Sequence, residues 1–82
     1  MTESEVFDDL KRYISDRILD GEDVGLDATT PLIAWGLLNS MEIARLVTFV
    51  KKRFDVTIPH DKITIEHFKD LDTLTTLVVS GR

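Results

Sequence analysis

Three stretches of the 82-residue chain carry apolar residues at helical spacing. In the first, Val6, Phe7, Leu10, Tyr13, Ile14 and Ile18 recur three and four positions apart, which puts them on one face of an amphipathic helix. Thr2 and Glu5 have capping-box spacing at its start, and Asp20-Gly21 stops it after Arg17 in the last turn. In the second, Ile43, Leu46, Val47, Val50 and Phe54 gather on one side, while Met41, Arg45, Thr48 and Lys52 fall opposite and are expected in solvent. Phe49 lies between these two faces. This helix starts at Asn39 or Ser40 and ends near Phe54-Asp55. The third runs from about Asp70 or Asp72 to Val79, with Leu71, Leu74, Leu77 and Val78 inward, Asp72 as a candidate cap and Gly81 as terminator.

The connections are unequal. Residues 20–39 form a long first loop, a length that often marks function in a small domain. Its apolar members Leu26, Leu32, Ile33, Trp35, Leu37 and Leu38 are expected to pack down. Inside it, Thr30 as cap, Pro31 as first helical residue and Gly36 at the end describe one short turn. Val56-Thr57-Ile58 has strand-like residues but no second strand to pair with, so it reads as an extended link ended by Pro59. A short helix is expected around residues 63–68. The architecture is all-α: a small bundle of three main helices and one short helix, with a long loop after the first, filling residues 1–82 as a single domain.

Composition narrows the function classes. The chain is 43% hydrophobic and 30% charged, a globular mixture. It has no cysteine, which removes disulfides, zinc–thiolate sites and a cysteine nucleophile together. The longest uncharged stretch, residues 28–41, is broken by Pro31 and Gly36 and is too short to span a bilayer. The acidic start lacks the layout of a secretory signal, so a cytoplasmic protein with no membrane partner is expected. Net charge is −5, but residues 1–42 hold ten acids and three bases, and residues 43–82 hold five and seven. The acidic balance argues against nucleic acid as a partner. A helix-turn-helix built on Arg45, Lys51, Lys52 and Arg53 meets the same objection, and the first loop is too long for the tight turn. No heptad seam demands a second copy, so a monomer is expected.

Catalytic clusters are scarce. His60 and His67 lack a third ligand at metal spacing, the four glycines are scattered, and no nucleophile-elbow pattern exists. No catalytic residue and no metal is assigned, and no pocket large enough for a substrate is expected in so small a domain. One position is more pointed. Asn39 and Glu42 have capping-box spacing at the start of the second helix. If Asn39 caps, the hydroxyl of Ser40 is spare in the first turn, where backbone N–H groups and the helix dipole favour a phosphate ester. Nothing beside Ser40 supplies a general base, so an outside enzyme has to modify it.

At these residues the chain resembles the phosphopantetheine carrier proteins, the acyl and peptidyl carrier family. The match is Gly36-Leu37-Leu38-Asn39-Ser40-Met41 at the start of the second helix, in a layout that extends over nearly the whole chain through Phe54-x-Val56-x-Ile58-Pro59 and Phe68-x-x-Leu71. The resemblance implies that a phosphopantetheinyl transferase attaches 4′-phosphopantetheine from coenzyme A to Ser40. It also implies that Trp35, Leu38, Asn39, Met41, Arg45 and Thr48 form the partner-docking surface. The chain departs from the acyl carriers of fatty-acid synthesis, which share an Asp-Ser-Leu motif and an acidic second helix. Here Asn39 and Met41 flank the serine, and the helix carries Arg45, Lys51, Lys52 and Arg53 against Glu42.

Thr30-Pro31-Leu32-x-x-Trp35-Gly36-x-Leu38-Asn39-Ser40-Met41, with Phe68-Lys69-Asp70-Leu71, is similar to the free-standing peptidyl carriers of antibiotic pathways. Those hold L-proline during its oxidation to pyrrole-2-carboxylate. This closer resemblance implies a proline-type adenylating enzyme, an acyl-CoA-dehydrogenase-like flavoprotein oxidase and a downstream acyltransferase or synthase as partners. Carriers of methoxymalonyl-type extender units share the Asn-Ser pair and stand as the alternative cargo class. A cofactor-free helical adaptor is the competing reading of another class, and it would tolerate loss of the Ser40 hydroxyl.

Overall fold

Thr2 and Glu5 close the expected reciprocal cap. The Glu5 N–H donates to Thr2 Oγ1 at 3.2 Å, and the Thr2 N–H donates to Glu5 Oε1 at 3.4 Å. Helix α1 follows, spanning Glu3–Arg17. The computed structural model describes residues 2–17 and 26–81. Ile18, Asp20 and Gly21, read as the end of α1, lie outside the described residues. Val6, Leu10 and Ile14, four apart, are fully buried, and Phe7 and Tyr13 flank them half-buried.

That stripe packs along α3, which spans Leu71–Ser80. Leu71, Leu74, Leu77 and Val78 face inward as the periodicity requires. Thr75 joins them in the core, where its hydroxyl donates to the Leu71 carbonyl at 2.7 Å and so carries no unsatisfied polar group inside. The cap of α3 is Asp70, and Asp72 is already inside the helix. Asp70 Oδ1 accepts the Thr73 N–H at 2.9 Å, while Thr73 Oγ1 accepts the Asp70 N–H at 3.2 Å. A threonine hydroxyl thus completes a box usually closed by Glu or Gln.

Helix α2, Ser40–Phe54, buries Leu46 and Val50, with Ile43, Val47 and Phe54 half-buried against the same core. It ends on Asp55 in the left-handed conformation, φ 57°. Two contacts join α2 to α1. Phe49 stacks on Tyr13 with ring centroids 4.3 Å apart and also meets Phe54 edge-on. Arg53 donates from Nε and Nη2 to Asp9 Oδ2 at 3.0 and 2.9 Å. The stacking places Phe49, the one residue of α2 that periodicity left between faces.

Beyond α2 the chain is extended. Val56 and Ile58 are buried and Thr57 is exposed, and no strand forms among the described residues. The short helix sits earlier than expected: a single 3-10 turn spans His60–Lys62. Residues 63–70 are irregular instead of helical. Thr64 caps a single turn here: its hydroxyl accepts the His67 N–H at 3.3 Å and pairs with His67 Nδ1 at 2.8 Å. Only one helical bond, Phe68 N–H to the Thr64 carbonyl, survives. The segment earns its place through Phe68, fully buried among the three helices. Truncating such a ring costs about 3–5 kcal/mol, a large part of what holds a small domain folded.

Candidate functional site

The first loop aims the start of α2, and Asp27 organises the beginning of its turn. One carboxylate oxygen, Oδ1, accepts the Thr29 N–H at 2.9 Å and the Thr29 and Thr30 hydroxyls, each at 3.1 Å. The Asp27 N–H donates in return to Thr30 Oγ1 at 2.9 Å. Thr30 is therefore occupied with Asp27 and does not cap the turn that follows. The Thr29 N–H, then the two hydroxyls, hold the Asp27 carboxyl below its ordinary range, because each donor favours the charged form.

Two backbone bonds fasten this loop to the approach of α3. Leu32 N–H donates to the Lys69 carbonyl at 2.8 Å, and Asp72 N–H donates to the Ala28 carbonyl at 3.1 Å. Leu32 is also the pivot of the expected short turn. Its side chain is fully buried, and its carbonyl accepts the N–H groups of Leu37 and Leu38 at 2.9 and 3.2 Å. With Gly36 N–H donating to the Ile33 carbonyl at 3.0 Å and Gly36 at φ 75°, the turn closes as a Schellman motif. Only glycine takes that backbone conformation without strain.

Four residues after Gly36 the chain enters α2. Leu38, 3% exposed, is the last residue sunk in the core. Asn39 is extended, and its Oδ1 accepts the Glu42 N–H at 2.9 Å. The expected box is only half formed, because the Glu42 carboxylate turns away to accept from Arg45 Nη1 at 3.1 Å. The half that forms is sufficient to free Ser40. Ser40 is the first helical residue and exposed, and no hydrogen bond engages its hydroxyl among the described residues. Among the described residues no imidazole or carboxylate hydrogen-bonds to it.

The other expected site residues divide. Trp35 and Met41 are 57% and 61% exposed, on either side of the serine in sequence. Trp35, grouped with the loop residues expected to pack down, stands in solvent instead. Arg45 and Thr48 are exposed on α2, the first paired with Glu42 and the second donating its hydroxyl to the Ala44 carbonyl at 3.2 Å. Leu38, expected on the docking surface, is buried in the core and presents almost nothing to a partner. Asn39 is exposed but its side chain is committed to the cap.

Two features escaped the periodicity. Ile65, 69% exposed, is a further apolar side chain in solvent. The outer face of α2 and the end of α1 enclose an open groove of about 780 Å³ that includes Tyr13, Arg17, Met41, Arg45 and Lys52. The groove is open along its length and does not enclose a small molecule. The ambiguous angle of Phe49 was the one sequence signal of it. Among the described residues no three histidine, aspartate or glutamate side chains gather as metal ligands, and no helix is long and apolar enough to cross a membrane.

No protein-family model matches the chain. It is 33% identical over 69 residues to the "Probable acyl carrier protein PigG" of Serratia sp. (strain ATCC 39006), covering 84% of this chain and 79% of that one. Among solved structures, a chain from the "Crystal structure of FAD-dependent dehydrogenase" superposes with a TM-score of 0.78 at 32% identity. That match covers 84% of this chain and 97% of the other.

Two outcomes check the site's construction. Asn39→Ala is expected to lower unfolding stability by about 1 kcal/mol in urea titration, while Ser40→Ala changes it by less than about 0.5 kcal/mol. Equal losses would mean that Ser40 shares the capping. The Asp27 carboxyl is depressed in the folded state, so its charge stabilises above the unfolded carboxylate range and the gain disappears as pH falls through the folded value. The stability deficit of Asp27→Asn is therefore expected to be fully present at neutral pH and to shrink on acidification. A deficit that does not change with pH would contradict that origin.

Proposed function

The chain belongs to the acyl carrier protein family, and we propose that it is a free-standing carrier bearing an acyl or aminoacyl group as a thioester on a 4′-phosphopantetheine arm at Ser40. The observation that carries this reading is the exposed, unengaged Ser40 hydroxyl at the start of a helix capped by its neighbour. A phosphodiester at that oxygen would sit against the positive end of α2, beside first-turn N–H groups that have no partner within the helix. The residues present therefore fit the group.

The arm supplies the thiol that holds the acyl group and a tether that raises its local concentration at each docked enzyme. The chain's own residues do the rest. Asn39 takes over the cap, Leu32 and Leu38 fix the direction of approach, and Trp35 and Met41 offer apolar contact beside the attachment point. No base engages Ser40 among the described residues, and modification falls to a separate phosphopantetheinyl transferase, in the cytoplasm where coenzyme A is available.

For the cargo we favour L-proline, oxidised on the carrier to the pyrrole-2-carboxyl group. Support comes from the run Thr30 to Met41 described above and from the neighbour named for an FAD-dependent dehydrogenase. The chain matched there is almost wholly covered by part of this one. That size suits a carrier and is too small for a dinucleotide-binding fold. A flavoprotein oxidase is then the partner that acts on the bound cargo, with a proline-type adenylating enzyme before it and an acyltransferase or synthase after it.

Incubation with coenzyme A and a broad-specificity phosphopantetheinyl transferase is expected to add the mass of one arm to the protein and none to Ser40→Ala. Addition of a proline-adenylating enzyme, ATP and proline should then add one prolyl group. No arm, or an arm that survives Ser40→Ala, would contradict the carrier reading and favour an adaptor. An arm that accepts a methoxymalonyl-type unit and refuses proline would correct only the cargo.

A further inference from the structure

The outer face of α2 is a straight stripe. Met41, Arg45, Thr48 and Lys52 are spaced four, three and four apart, and all are exposed. It begins one residue after Ser40 and runs about 16 Å along the helix at 1.5 Å per residue. With the end of α1 it forms the open groove, whose floor includes the stacked Tyr13 and Phe49 rings.

The charge of this groove opposes that of the chain. Arg17, Arg45, Lys52 and Arg53 line it, and no described carboxylate does. The chain as a whole is at −5. Two of the cations have partners outside the groove: Arg45 holds Glu42, and Arg53 holds Asp9. Exposed pairs of this kind are weak and can exchange for a better-placed acid. Lys52 has no ion pair among the described residues. Met41 adds an exposed, adaptable apolar side chain at the end next to the tether residue.

We infer that this groove docks an acidic, amphipathic ridge of a partner protein, whose Asp and Glu side chains meet Arg45 and Lys52 while an apolar side chain covers Met41 and the Phe49 ring. Charge complementarity selects this occupant. Nucleic acid would have to approach a strongly acidic molecule through four cations, and a small cargo would stay solvated in so open a trough. The local patch steers the approach that the overall charge opposes, so it sets orientation as well as affinity. The inference rests on the carrier reading for its importance, since the surface next to the tether is the one a partner must meet. Its geometry stands without the arm.

The test is an NMR titration of the ¹⁵N-labelled, unmodified full chain. One probe is a synthetic helical peptide with a leucine stripe flanked by glutamates, and the other is the same peptide with every glutamate replaced by lysine. The glutamate peptide is expected to shift the amides of Met41, Arg45, Thr48, Phe49 and Lys52. Raising salt to about 0.5 M should weaken its binding at least about tenfold. Lys52→Glu, a change at a side chain with no described polar contact, should weaken it comparably while leaving the rest of the spectrum unchanged.

The inference is overturned if the glutamate peptide leaves these amides unmoved, or if both peptides move them alike. It is also overturned if they move with the protein's own concentration, which would make a second copy the occupant, or respond only to phosphatidylglycerol vesicles. Arm attachment, followed by mass on the same samples, separates the two readings. A modified Ser40 with an indifferent groove removes the docking surface alone, and a responsive groove with no arm removes the carrier alone.

Discussion

The hydrogen bond from the Glu42 N–H to Asn39 Oδ1 is the interaction on which the rest depends. A helix start presents N–H groups that need acceptors, and a serine in that neighbourhood is ordinarily consumed as one. Here the acceptor stands one residue earlier. Ser40 is therefore held in regular helical backbone with a side chain that has no structural task. The upstream chain serves the same end. Leu38 is pulled into the core, Gly36 reverses the backbone, and Leu32 ties the turn to the residue before the α3 cap.

On the proposed reading, attachment and recognition share a single helix. Its first turn offers a hydroxyl in a positive field and the exposed Met41, and the following turns offer cations. Ten of the fifteen acids fall in residues 1–42, and none of the described ones lines the groove. On that reading the protein presents a tethered group to several enzymes and leaves the chemistry to them. What it requires is a fixed exit point and a surface that distinguishes partners.

The three long helices were legible because their buried stripes repeat without interruption: Val6-Leu10-Ile14, Leu46-Val50 and Leu71-Leu74-Val78. The cap on Ser40's neighbour was legible because Asn-x-x-Glu spacing is local. The failures were also local competitions that spacing cannot rank. Asp70 and Asp72 are equally good caps until the Thr73 hydroxyl closes a box with the first. Residues 63–68 read as helix, but only one capped turn forms at Thr64. Trp35 and Leu38 looked alike as apolar loop residues, and only the direction of the turn at Gly36 puts one in solvent and the other in the core. The groove needed two helices to be brought together, through Tyr13 on Phe49 and Arg53 on Asp9, so neither helix announced it alone.

The most direct measurement is tandem mass spectrometry on peptides of the protein isolated from the cell that makes it. The account predicts a phosphopantetheine ester on the peptide containing Asn39-Ser40-Met41, with fragments assigning it to Ser40. A bare Ser40 throughout that population, or an ester mapped to another hydroxyl, would contradict it.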